Sequence, residues 1–257
     1  MKNIRLVAQV VLKESIRRKD FYVLFVLTAV ICLVMGSVTF YHDNQIVRYL
    51  KEICLLLIWI STLVIAITMA ARQIPVERES RTIFPLLAKP ISRTQALLGK
   101  FFGCWIAIAA ALSAFYIFFG LMAMSKEHSW PLANYFQAVW LHWIMLGVVI
   151  AMSLLGSLAF SAVSANVTIC FVAVTFILML GRHLENVAMG VGEPVRSLLQ
   201  VLFYAMPHLE FFDVRDLVIH DWPPLHWLTC AKATAYGFVY GAFFLVAACL
   251  LFRRRPL

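Results

Sequence analysis

The chain has 257 residues, of which 63% are hydrophobic and only 14% are charged. Soluble domains carry about 25% charged residues, so this composition excludes an ordinary soluble enzyme or binding domain and indicates a polytopic membrane protein. The formal net charge of +9 would suit nucleic-acid binding only if the positive charges shared one face, so their placement along the chain decides.

Residues 2–19 are too charged to cross a membrane, but they have a helical pattern. A polar stripe recurs every four residues from Arg5 to Arg17, and apolar residues such as Val7 and Val11 share another face. A basic amphipathic helix beside a span is typical of an interfacial helix on an anionic leaflet. We therefore assign residues 1–20 to such a helix and residues 21–257 to a membrane domain; a merely solvated N-terminus is the alternative.

Six apolar stretches follow, and a spanning helix needs about 20 apolar residues. They lie at about 21–41, 53–71, 101–124, 135–163, 167–181 and 228–252. Two longer polar segments separate them, at 72–100 and at 182–227, whereas the link at 164–166 is so short that spans 4 and 5 form a helical hairpin. The predicted fold class is all-α, a polytopic membrane protein with six transmembrane helices.

The positions of Lys and Arg predict the orientation. With the N-terminus inside, fifteen of the 22 basic residues lie in inner segments and seven in outer ones. Cytoplasmic loops carry the excess of Lys and Arg, so both termini and segment 72–100 of this multi-pass protein are predicted to be cytoplasmic. The positive charge follows the topology, and no nucleic-acid partner is predicted.

The predicted spans contain few groups for chemistry. Among Asp, Glu and His residues, only His142 lies in a predicted span. We interpret it as an interfacial histidine beside Trp140 and Trp143; a substrate or proton contact is the alternative. Proton-coupled transporters and intramembrane proteases need ionisable groups or metal ligands inside their spans, so the pattern disfavours both classes.

The outer segment 182–227 holds several histidines and carboxylates, which are plausible metal ligands. They are His183, His208, Glu210, Asp213, Asp216, His220, Asp221 and His226. Their spacing fits no strong metal-binding template, so a solvated outer surface is favoured and no metal site is predicted. The six cysteines are scattered singly, without a CxxC pair, which indicates small apolar side chains in the core or facing lipid.

The chain has no phosphate-binding loop of its own. The only Gly-Lys pair, Gly99-Lys100, is followed by Phe101 where the motif requires Ser or Thr, and Thr94 stands where it requires the first Gly. We therefore expect no cofactor to be bound by this chain. If transport is driven by a nucleotide, another chain must hydrolyse it.

Segment 72–100 is the polar interruption in this apolar chain. Pro75 prevents span 2 from continuing unbroken, and a dense run of mixed charges follows it. Ser92 and Gln95 form a capping box that starts a new helix, and Gly99 and Gly103 allow close packing where that helix enters span 3. A short charged helix in this place can enter a cleft on a soluble motor; an inert loop is the alternative.

Three short motifs follow one another in this region: ERESRT at 77–82, LLAKPISR at 86–93 and LLGKFFG at 97–103. In order and spacing they resemble the cytoplasmic loop of permease subunits of type-2 ABC exporters, although Arg81 stands where many members have Gly. The amphipathic N-terminal helix, the six spans and the longer outer segment agree with that family. MPHLEFFD at 206–213 is also similar to the family's Pro-then-aromatic stretch.

The resemblance implies that Val76 to about Leu87 is a coupling helix contacting an ABC ATPase subunit, which binds the ATP and magnesium. Its contact residues would be Glu77, Arg78, Glu79, Arg81, Thr82, Phe84 and Leu87. The residues that shape the loop and anchor it near lipid headgroups would be Pro75, Pro90, Arg93 and Lys100. Residues 2–19 would be the elbow helix, and residues 183–226 would include short helices that dip part-way into the membrane.

The resemblance also implies that two permeases, as a homodimer or a pseudo-dimer, build a twelve-span pathway. In span 6, Ala233, Gly237 and Gly241 recur every four residues and permit close helix packing, within or between subunits. The expected function is that of a non-enzymatic permease of an ATP-driven exporter. The alternatives are a permease-like scaffold for maturation or assembly of an extracytoplasmic metalloprotein, and a membrane-embedded enzyme.

Overall fold

The computed structural model describes residues 2–17, 19–37, 44–80, 91–127, 132–160, 162–181 and 191–254, and within these residues all regular structure is helical. The all-α prediction is therefore confirmed. The helices are α1 (Lys2–Arg17), α2 (Lys19–Ser37), α3 (Asn44–Arg72), α4 (Pro75–Glu79), α5 (Arg93–Glu127), α6 (Leu132–Ala159), α7 (Val163–Leu180), α8 (Val195–Ala205), α9 (Arg215–Ile219) and α10 (Trp227–Arg254), with a 3-10 helix at Leu209–Phe212.

Helices α3, α5, α6 and α10 are long and apolar enough to cross a bilayer, which makes this a multi-pass membrane protein. The apolar parts of α2 and α7 are shorter, Tyr22–Val34 and Val163–Met179. At 1.5 Å per residue, the 18 residues of α7 rise ~27 Å, whereas the hydrocarbon core is about 30 Å thick. Within the described residues, length and composition thus support four spans and do not confirm six.

The turn between α6 and α7 lies between Ala159 and Val163. Residues 164–166, which the sequence predicted to be a link, are helical instead. The backbone N–H of Asn166 already donates to the Ala162 carbonyl at 3.2 Å. Small residues do not by themselves break a helix, so the predicted link continues as the first turn of α7.

Helix α6 is the centre of the bundle, and α3, α5, α7 and α10 all pack against it. It buries polar residues as well as apolar ones, among them Gln137, His142 and Ser153. Helix α10 is far more open: Val239 is 67% exposed and Phe243 is 65% exposed. In a membrane protein such apolar surface faces lipid or another apolar partner.

Helix α1 packs against the first turns of α5 through two glycines. A Cβ atom on Gly99 would lie 2.6 Å from the Val7 Cβ, and one on Gly103 would lie 2.7 Å from the Val11 Cβ. Both valines are buried, while Arg5 stays exposed. The apolar face of α1 therefore binds α5, and the charged face is left for the surface.

We expect Gly99→Ala to destabilise the protein by about 1–3 kcal/mol, because overpacking a tight contact forces helices apart. The thermal unfolding midpoint in detergent measures this loss. Gly241→Ala is the matched control in α10, since a Cβ there would meet no atom within 4 Å. An unchanged midpoint for Gly99→Ala would contradict the packing of α1 on α5.

Candidate coupling site

The break between α3 and α4 begins with Pro75, which is the first residue of α4. Proline has no N–H, so it cannot donate to the carbonyl of Ala71 four residues earlier. The side chain of Asn166, from α7, donates to that carbonyl at 3.4 Å and to the Ser153 carbonyl at 3.2 Å. The carbonyl that the proline leaves free is thus satisfied by a neighbouring helix, as a buried backbone group requires.

Lys100, near the start of α5, lies against the same break. Its ammonium donates to the Gln73 carbonyl at 2.7 Å and pairs with Glu77 Oε1 at 2.6 Å. Lys100 is only 3% exposed. A cation is favourable at the C-terminal end of a helix, so Lys100 stabilises the end of α3 while Glu77 of α4 supplies the counter-charge. We call Gln73, Glu77 and Lys100 the lysine latch.

An apolar contact holds α4 in place beside the latch. Ile74, just before α4, is 1% exposed and belongs to a buried cluster with Leu97, Leu158, Ala248 and Phe252. These residues come from α5, α6 and α10. The start of α4 is therefore fixed to three helices of the bundle besides α3.

The N-terminus of α5 and the C-terminus of α10 meet at the same end. The two hydrogen bonds of the predicted capping box are present, Ser92 N–H to Gln95 Oε1 and Gln95 N–H to Ser92 Oγ, each at 3.2 Å. The Arg93 guanidinium donates to the Phe252 carbonyl at 2.9 Å and lies 5.8 Å from the centre of the Phe252 ring. Arg93 therefore caps α10, a contact that the sequence analysis did not anticipate.

The residues of α4 divide into an inward and an outward group. Glu77 turns towards Lys100, whereas Val76 and Glu79 are exposed and Arg78 is half-buried. We call the other residues, the exposed Val76 and Glu79 and the half-buried Arg78, the coupling face, after the role that the sequence predicts for them. Five of the predicted site residues lie outside the described residues: Arg81, Thr82, Phe84, Leu87 and Pro90.

Of the span 6 residues, Gly237 packs within the chain, where a Cβ would lie 3.1 Å from Phe212 Cζ. Gly241 borders open space, and Ala233 is half-buried beside the main core.

Sequence reasoning missed Gln73 and Asn166 as parts of this site. The position of Pro75 could have indicated that such partners exist, because a proline just beyond a span leaves a backbone carbonyl that needs another donor or a cation. What the sequence could not supply was the identity of the donor, since Asn166 is 95 residues from Ala71.

The opposite end of the bundle is covered by residues 206–226. Lys51 of α3 is 4% exposed and lies 3.5 Å from Asp221. Gln137 of α6 exchanges two hydrogen bonds with the backbone of Leu225, both at 2.9 Å. The Asn134 side chain donates to the Trp222 carbonyl at 2.8 Å. This cap is thus tied to α3 and α6.

Arg215 anchors the middle of the cap. Its guanidinium makes two hydrogen bonds of 2.8 Å to the Asp213 carboxylate and lies 5.1 Å from the Trp59 ring centre. Burial opposes its charge, but the hydrogen bonds and charge of Asp213 outweigh burial, so the pKa of Arg215 is raised. Arg215 stays charged under any physiological condition.

His142 lies in the core below this pair, inside the protein rather than on its surface. It is 2% exposed, with Nε2 3.1 Å from Thr62 Oγ1 and Nδ1 3.5 Å from the Tyr116 hydroxyl. The Thr62 hydroxyl donates to the Ile58 carbonyl at 2.9 Å, so it accepts from Nε2, and Nδ1 accepts from Tyr116. Both nitrogens of a neutral imidazole are then satisfied.

The predicted ligand candidates of the outer segment do not form a metal site among the described residues, where no three His, Cys, Asp or Glu side chains gather as a ligand set. His208 Nδ1 and Glu210 Oε1 approach to 3.5 Å as a pair. His183 lies outside the described residues.

A family model described as "ABC-2 family transporter protein" matches residues 6–257. The chain belongs to the ABC-2 transporter family. The resemblance inferred from the motifs between residues 77 and 103 is therefore confirmed. Permeases of this family lack ATPase activity of their own, and membership implies an ATPase subunit as partner. No curated protein matches this ABC-2 permease.

We expect Glu77→Gln to cost about 3 kcal/mol of stability, because it leaves the buried Lys100 ammonium without its counter-charge. The charge swap Glu77→Lys with Lys100→Glu should not restore stability. A carboxylate at position 100 would face the Gln73 carbonyl, and neither group can donate. Thermal unfolding measures both variants.

The exposed Glu79→Gln is the control for the latch and should leave the unfolding midpoint unchanged. Full recovery in the swapped double variant would show that Lys100 and Glu77 form only an ion pair. It would contradict the role of Lys100 as the cap of α3.

Proposed function

We propose that this ABC-2 permease is the membrane subunit of an ATP-driven exporter of the cell inner membrane, coupled to its ATPase through α4. The observation that carries the proposal is the arrangement of α4. It presents Val76, Arg78 and Glu79 outward, while Glu77 and Ile74 bind it firmly to the bundle. A charged face on a firmly held helix suits contact with a moving partner.

The lysine latch supports a route by which force enters the membrane. An ATPase that pushes on the coupling face displaces α4, and Lys100 joins α4 to both the end of α3 and the start of α5. The three segments therefore move together rather than separately. Rigid-body rocking of two permease halves, each driven in this way, would alternate access to the pathway.

Six spans with both termini in the cytoplasm are the topology that we propose. The helices α2 and α7 are apolar, and each packs against α3. In the α2–α3 contact the hydroxyls of Thr28 and Ser61 lie 2.8 Å apart, buried from solvent. Counting α2 and α7 as tilted or locally mismatched spans puts the coupling face on the Lys- and Arg-rich side, where an ATPase is found.

We also propose that two permeases assemble, either as a homodimer or with a second permease. The exposed apolar surface of α10 and α2 supports this, since it exceeds what α3 and α6 leave open.

Charge reversal on the coupling face tests the function directly. We expect Glu79→Lys to lower permease-dependent stimulation of the co-purified ATPase subunit at least tenfold, because a like-charge contact across an interface costs several kcal/mol and about 1.4 kcal/mol already corresponds to a factor of ten. The unfolding midpoint of the permease should stay unchanged, since Glu79 is exposed. ATP hydrolysis in proteoliposomes, with and without the permease, is the measurement.

Glu52→Lys is the matched control, an exposed acidic residue near the other end of α3, and it should leave the stimulation intact. Equal stimulation by the wild-type protein and Glu79→Lys would show that the coupling face does not contact the ATPase productively.

The topology has its own test by cysteine labelling in intact cells. Ser80→Cys, at the end of α4, should react with a membrane-impermeant maleimide only after the cells are opened. Arg196→Cys, in α8, should react from outside. Five of the six native cysteines are buried, so we expect little background labelling by the maleimide. Labelling of both positions from the same side would exclude the proposed six-span arrangement.

A further inference from the structure

A groove runs along the bundle between α5, α6 and α10. Its wider part is a cavity of about 470 Å³ between α6 and α10, bordered by Phe136, Trp140 and Trp227. A narrower part of about 150 Å³ continues past Gly241 to Leu245 and also touches α5. Phe238 borders both parts, so they adjoin one another, and together we call them the tryptophan groove.

The Trp105 and Trp140 indoles that line this groove, and Trp143 beside it, already have hydrogen-bond partners. The Trp105 N–H donates to the Trp143 carbonyl, and the Trp143 N–H donates to the Trp105 carbonyl, both at 3.1 Å. The two rings stack with centres 4.3 Å apart. The Trp140 N–H donates to Thr234 Oγ1 at 3.0 Å. Past the entrance, where Trp227 stands, a polar ligand would lose its own hydrogen bonds to water without replacement by these indoles, so the interior of the groove favours hydrocarbon.

In the narrow part of the groove there is unfilled space next to the backbone of Gly241. A Cβ atom on Gly241 would meet nothing within 4 Å, although Gly241 is buried, whereas one on Gly237 would press against Ile144. Chain packing therefore requires a small residue at position 237 but not at position 241. The space beside Gly241 is available to something other than this chain.

The dimensions of the groove match one leaflet. From Phe136 to Val148 it follows twelve residues of α6, a rise of ~18 Å, and half of a 30 Å hydrocarbon core is about 15 Å. All three walls are candidate spans. Trp227 and Phe136 stand at the entrance, near the ends of α10 and α6, as aromatic residues do at a membrane interface.

We propose that the tryptophan groove binds one acyl chain of a phospholipid from the surrounding bilayer. The headgroup lies at the aromatic entrance, and the chain extends past Phe238 to the space beside Gly241. The bound lipid fills the contact between α10 and the α5–α6 pair. This site is independent of the proposed export function, since it needs neither the ATPase nor the exported substrate.

The test compares two leucine substitutions on α10. Gly241→Leu fills the narrow part of the groove, and Val239→Leu places the same side chain on the exposed side of the helix, where Val239 is 67% exposed. Native mass spectrometry of protein purified in mild detergent should show one retained phospholipid per chain for the wild type and Val239→Leu. Gly241→Leu should bind about tenfold more weakly, the loss expected when about two buried methylene groups are displaced.

Phosphatidylcholine with brominated acyl chains, titrated into delipidated protein in detergent, gives a second readout. Quenching of tryptophan fluorescence should contain a saturable component that Gly241→Leu removes and Val239→Leu keeps. Equal retention and equal quenching in all three proteins would overturn the proposal. So would oxidative cross-linking of Gly241→Cys, but not Val239→Cys, to a second copy, because the occupant would then be another permease.

Discussion

The buried ammonium of Lys100 joins three segments at one end of the bundle: the end of α3, the helix α4 and the start of α5. Removing an ammonium from water costs several kcal/mol, so the fold must give it partners. One partner is the Gln73 carbonyl, which lies in the break that Pro75 creates, and the other is Glu77, which α4 brings back towards α5. Pro75, the Gln73 carbonyl and the Lys100–Glu77 ion pair therefore depend on one another. A change in any of them alters the position of α4.

Local signals in the sequence predicted much of this end of the molecule, because they act over a few residues. Ser92 and Gln95 form their capping box, and Pro75 separates α3 from α4. The orientation of Glu77 was not predictable in the same way. On a helix of five residues, the inward face depends on Lys100, which is 23 positions further along the chain, and on how α5 leans against α3.

His142 shows what neighbours in sequence do not reveal. Trp140 and Trp143 lie beside it in the chain, but on a helix each residue turns by about 100°, so the three side chains meet different helices. The two indoles donate to α5 and α10, whereas His142 lies between Thr62 of α3 and Tyr116 of α5. The number of spans also does not follow from local pattern alone: within the described residues the apolar parts of α2 and α7 are shorter than those of the four long helices, and both helices pack against α3.

The two ends of α3 are held by different means, and this makes α3 suitable for transmitting motion. At one end Lys51 binds the cap through Asp221, and at the other the lysine latch binds α4. A helix fixed at both ends cannot absorb a push by fraying, so under the proposed mechanism a displaced α4 would tilt or shift α3 as a whole. Arg93 of α5 caps α10 next to the latch, so α10 would move together with α5.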